Sequence, residues 1–120
     1  MRLAWLLVIV WAEIIFLLSA VPSLASPFGP WYDFVLRKIA HVGEYAFLTV
    51  LLLDAFRASG VERKRAFFYA GVSAFLYALS DEWHQTFVPG REGSLRDVGI
   101  DALGVAAVIY SFVRARSRTA

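Results

Sequence analysis

Two histidines and a set of carboxylates are spaced for proton transfer or for holding an ion. Lys38, His41, Glu44 and Tyr45 span an arc of about 120° on a helix, with His41 and Tyr45 one turn apart, so one face carries all four. Asp81 and Gln85 are again one turn apart, with His84 beside them and Glu82 displaced toward an edge. Asp97 and Asp101 repeat the i, i+4 spacing, and Gly104 continues their stripe with a residue small enough for another helix to approach closely. An imidazole with an unperturbed pKa near ~6.5 suits acid–base work at neutral pH, which assigns proton transfer to His41 with Glu44 or Asp81 orienting it. Lys38 and Arg91 suit an anion such as a phosphate, the guanidinium in two-pronged fashion. His41, Glu44, Asp81 and His84 are also a nitrogen and oxygen donor set for zinc or manganese. His-x-x-Glu is a common spacing, so a metal stays open, as does any cofactor.

What positions these groups follows from composition. The chain has 120 residues, room for one domain. It is 59% hydrophobic, 16% aromatic and only 18% charged, with a mean hydropathy of +0.60, against roughly 45–50% apolar usage in a soluble globule. Disorder is excluded, and so short a chain cannot enclose that much apolar side chain in a water-soluble core. The net charge is +2, but the basic runs are short and lie between apolar stretches, with no aromatic-interleaved face to track a phosphate backbone. Nucleic acid is therefore not the expected partner; the lipid bilayer is. Without cysteine there is no disulfide, thiolate metal site or cysteine nucleophile.

The expected fold is all-α, an integral membrane bundle of four transmembrane helices forming a single domain over 1–120, with helices at about 3–20, 31–57, 66–87 and 97–113. The first apolar run, Leu3 to Ala20, is interrupted only by Glu13 and is long enough to span a hydrocarbon core. Its rival reading is a secretory signal cleaved near Leu24-Ala25-Ser26. Pro22, Pro27, Gly29 and Pro30 make the first link, Ala58 to Arg65 a polar turn, and Pro89-Gly90 ends the third helix. Eight basic residues (Arg2, Arg57, Arg63, Lys64, Arg65, Arg114, Arg116, Arg118) fall on one side and four (Arg37, Lys38, Arg91, Arg96) on the other. The positive-inside rule then gives a multi-pass cell-membrane protein with both termini cytoplasmic. On that topology Lys38, His41, Glu44, Asp81, Glu82, His84, Arg91, Asp97 and Asp101 share one depth near the outer leaflet.

Ionisable groups at membrane depth cost about 2.5–3.5 kcal/mol each, so they face the bundle interior or a wet cavity. Set against Lys38, Arg91 and Arg96, the carboxylates Glu44, Asp81, Glu82, Asp97 and Asp101 leave two uncompensated. A raised carboxyl pKa, a protonated histidine or a bound cation resolves this, as does hydration at headgroup level. Glu13, near mid-membrane, needs a partner, for which Lys38 or His41 is the candidate. Asp54 and Arg57 at i, i+3 read as an inner-face ion pair. Trp5, Trp11, Trp31 and Trp83 read as core or interfacial anchors, Tyr45 equally as packing or chemistry, and Glu92 and Arg96 as solvated loop charges. Pro89-Gly90-Arg91 reads equally as a turn folding Arg91 over the cleft or as an ordinary turn.

Lys38-x-x-His41-x-x-Glu44-Tyr45, Ser80-Asp81-Glu82-x-His84-Gln85, Phe87-Val88-Pro89-Gly90-Arg91-x-Gly93-Ser94-x-x-Asp97 and Asp101-x-x-Gly104 together resemble the VanZ-like family of small bacterial membrane proteins. The resemblance covers residues 38 to 104. It implies a compact multi-helix membrane protein and an association with resistance to teicoplanin, a lipidated glycopeptide acting at the outer surface. Asp101 stands where the family pattern commonly has Asn, which adds a carboxylate.

The functional expectation is a polar outer-leaflet cleft acting on an amphiphilic cell-envelope molecule, either lipid-linked or a glycopeptide. His41, Glu44 and Asp81 are the catalytic candidates, and Lys38, Tyr45, Glu82, His84, Gln85, Arg91, Asp97 and Asp101 the binding ones. The alternative is a protein that binds or shields a glycopeptide or lipid head group without catalysis. Polar glue between helices is the structural reading, with each contact worth about 0.6 kcal/mol.

Overall fold

The computed structural model describes residues 1–20, 27–87 and 95–119, and of residues 20, 95–98, 101 and 116–119 it describes the backbone alone. Four helices account for nearly all of it, with no strand among the described residues: α1 (Arg2–Ala20), α2 (Pro30–Ala58), α3 (Arg63–Gln85) and α4 (Leu95–Thr119). At 19 residues, α1 is about 28 Å long, close to the thickness of a bilayer core. Two helices, α1 and α2, are long and apolar enough to cross a membrane. The apolar part of α4 is shorter, Ala102–Ala115, while α3 carries basic residues at its start and Asp81 and Glu82 near its end.

The connection from α2 to α3 is built by backbone chemistry. Gly60 takes φ +88°, and its N–H reaches the Arg57 carbonyl at 3.0 Å while that of Val61 reaches Phe56 at 3.1 Å. This is the paired closure that a left-handed glycine permits after a helix. Arg57 Nη1 adds a bond to the Val61 carbonyl at 3.0 Å. The expected Asp54–Arg57 ion pair does not form, because the guanidinium is turned to that carbonyl instead.

The helices run alternately up and down. Near one end Trp5 donates to Ser59 Oγ at 2.8 Å, so α1 and α2 are antiparallel; near the other, Ser19 meets Gln85, so α1 and α3 are parallel. α2 and α3 form the central pair, flanked on opposite sides by α1 and α4, which do not touch among the described residues. Alanines at every fourth position of α3 (Ala66, Ala70, Ala74 and Ala78) are fully buried, and small residues in such a stripe let helices approach closely. At Gly104 a Cβ would lie 2.3 Å from the Val42 carbonyl oxygen, so α4 meets the α2 backbone directly.

Three sequence expectations change here. α3 begins at Arg63 rather than Ala66 and α4 continues to Thr119 rather than stopping at Val113. Neither stretch holds a proline or glycine, and Lys and Arg are good helix formers once solvated. Glu13 does not turn inward to Lys38 or His41. It lies on the exposed face of α1, without an ion-pair partner among the described residues, and the group within its electrostatic reach is Tyr77 of α3. The reason is rotational: α1 applies Trp11 and Ile15 to its neighbours, which leaves Glu13 on the outer side.

Candidate functional site

The bundle is polar where a soluble protein is apolar. Asp81 (3% exposed), Glu82 (6%) and Gln85 (3%) are buried, whereas Leu3, Leu6, Ile9, Phe68, Leu76 and Leu103 are exposed. Sequestering carboxylates while presenting aliphatic and aromatic side chains outward is unfavourable in water and favourable in hydrocarbon.

The centre of the site is Asp81. Tyr45, fully buried on α2, donates its hydroxyl to Asp81 Oδ2 at 2.9 Å. Thr49, one turn further on, donates to the Tyr45 carbonyl at 2.7 Å. Asp81 Oδ1 is buried and has no hydrogen-bond partner among the described residues. An unsatisfied buried acceptor costs about 1–3 kcal/mol, more when charged. One turn along α3, Gln85 Nε2 reaches Ser19 Oγ of α1 at 3.4 Å. Three helices thus contribute polar groups to one buried cluster.

The other anticipated residues have contacts of their own. His41 Nδ1 is 3.5 Å from Glu44 Oε2, the two side chains being 13% and 15% exposed. Trp11 Nε1 binds the Glu44 carbonyl at 3.0 Å and anchors α1 at that level. Lys38 Nζ sits 5.4 Å from the centre of the Phe34 ring, a cation–π placement. His84 stacks on Phe16 of α1 at 4.4 Å, and its buried Nδ1 has no hydrogen-bond partner among the described residues. Glu82, displaced toward an edge of the Asp81–Gln85 face, is buried as well. Asp97 and Asp101 lie on the first turns of α4, on the stripe that leads to Gly104 and its contact with Val42. Their side chains, like Arg91, Arg96 and the Pro89-Gly90 turn, lie outside the described residues.

Among the described residues no three His, Asp or Glu side chains come together in a way that would hold a metal ion. All four members of the candidate set His41, Glu44, Asp81 and His84 are described, so they do not form a preassembled ligand shell.

The sequence reading missed Ser19, Thr49 and Tyr77. Tyr77 donates to the Ala12 carbonyl and lies within electrostatic reach of Asp81. Its signal was its place one turn before Asp81; Thr49 stands in the same relation after Tyr45. Ser19, in a run of apolar residues, carried none.

The apolar exterior and the two helices long enough to span a bilayer make this a membrane protein. No curated protein and no solved structure matches the chain. A family model described as VanZ/LLP1 matches residues 4–116, nearly the entire chain, and the protein belongs to that family.

Proposed function

We propose that the protein crosses the cell membrane four times with both termini in the cytoplasm, and that its polar cluster opens toward the outer leaflet and acts on an amphiphilic cell-envelope molecule. The observation that carries this is the buried Asp81 carboxylate, held through one oxygen by Tyr45 with the other aimed at no donor among the described residues. Packing alone does not call for such an oxygen, because an apolar side chain there costs nothing in desolvation. In this reading His41 moves the proton and Glu44, 3.5 Å away, orients it. Asp81 positions the ligand or the proton donor, and Lys38 and Arg91 hold its anionic group. Tyr45, Glu82, His84, Gln85, Asp97 and Asp101 supply the surrounding polar shell. Family membership supports a link with glycopeptide resistance of the VanZ type.

Cells producing the wild-type protein are expected to tolerate more teicoplanin than empty cells, and cells producing Arg91→Ala at the same level to lose that gain. Equal susceptibility of all three removes the resistance reading. His41→Gln separates catalysis from shielding. If His41 transfers a proton, protection falls by about a hundredfold in turnover while purified protein still binds teicoplanin. Protection that tracks affinity instead favours a binder.

A further inference from the structure

At the opposite end of the bundle from the polar cluster, α2, α3 and α4 line a half-open apolar cavity of about 400 Å³. Its walls are Val50, Leu51, Leu53, Ala66, Phe67 and Phe112, and its polar edge is Asp54, Arg57 and Arg63. The volume falls in the ~300–1,000 Å³ range of small-molecule sites. We infer that this cavity takes an acyl chain of an anionic glycerophospholipid, with the phosphate at Arg57 and Arg63.

Charge and placement select that occupant. Arg63 is held at the lip, its guanidinium 5.6 Å from the centre of the Phe67 ring that walls the cavity. Arg57 spends one N–H group on the Val61 carbonyl, and a guanidinium has four more to offer. Asp54 is exposed and offsets one positive charge. Lys64 follows Arg63 in the first turn of α3, while Arg65 lies 4.0 Å from Glu62, which offsets its charge; no side chain caps that turn, so its unpaired amides add to the pull on an anion. A second copy of the chain docking through the same end would bring its own arginines against these, which disfavours a symmetric dimer. The bilayer supplies phospholipid at this depth.

The test uses the full chain in nanodiscs of equal parts phosphatidylglycerol and phosphatidylcholine, extracted gently and weighed intact with its retained lipid. The expected result is one phospholipid per chain, phosphatidylglycerol favoured about fivefold, the contribution of one net basic residue at an anionic surface. Arg63→Gln is expected to erase the preference while lipid is still retained, and Val50→Trp to lower retention of both lipids by filling the cavity. Circular dichroism matching the wild type establishes that these variants fold. Equal retention of the two lipids by the wild type overturns the inference, as does an unchanged preference in Arg63→Gln. So does a lipid-free dimer, which would place a second copy in the cavity.

Discussion

Gly104→Leu is expected to lower the stability of the bundle by more than about 3 kcal/mol, beyond the ~1–3 kcal/mol usual for an overpacked core. A Cβ at this position would stand 2.3 Å from the Val42 carbonyl oxygen, 3.2 Å from its carbon and 3.3 Å from the Ala46 nitrogen. All three are backbone atoms of α2, and a helix backbone does not yield as a side-chain tip does. The two helices must separate, and separation opens the contact of α4 with the α2 backbone at Val42 and Ala46. Gly71→Ala is the control. There the added carbon meets only Ile109 Cδ1 at 2.9 Å, the end of a side chain that can rotate away, and the expected cost is under ~1 kcal/mol. Detergent-denaturant unfolding of both variants reads the difference. Equal effects at the two glycines would mean that α4 does not rest on the α2 backbone.

Asp81→Asn is expected to keep the fold and lose the function. Asparagine has the same shape and still accepts from Tyr45, so the 2.9 Å bond survives. It carries no charge, so a buried anion is removed, a change that is neutral or stabilising by up to a few kcal/mol when burial is deep. Residues kept for function rather than stability show this opposition. Teicoplanin tolerance of cells producing the variant is expected to fall to that of empty cells, at protein levels equal to or above wild type. If tolerance is retained, or if the variant fails to accumulate, Asp81 is structural glue and the site has no ligand-facing carboxylate.

Helix number and approximate extent were legible because apolar run length and the Pro and Gly breaks are properties along the chain. Azimuth was less so. When the exterior is apolar, the phase of a helix is marked by few residues, and a residue near the boundary falls on either side. Glu82, off the Asp81–Gln85 stripe, is nevertheless buried with it. Glu13 was read as inward and is exposed, because Trp11 and Ile15 occupy the contact face of α1. The close approach at Gly104 was legible, since a glycine in step with Asp97 and Asp101 has few other uses in a helix. The cavity beside Arg57 was not, because it is the gap left among three helices and belongs to no one segment. The Asp54–Arg57 spacing satisfied the ion-pair rule, yet the turn at Gly60 brought a carbonyl to the arginine first.

What joins these observations is a buried polar junction, shared between helices distant in sequence and centred on Tyr45 and Asp81. A double-mutant cycle of Tyr45→Phe and Asp81→Ala, read by unfolding in mixed micelles, measures that junction directly. The expected coupling is about 1.5–3 kcal/mol, the range for a hydrogen bond to a charged group and well above the ~0.6 kcal/mol average of interhelical contacts in membranes. A coupling indistinguishable from zero would contradict it, since the two side chains would then act apart and no shared polar centre would exist.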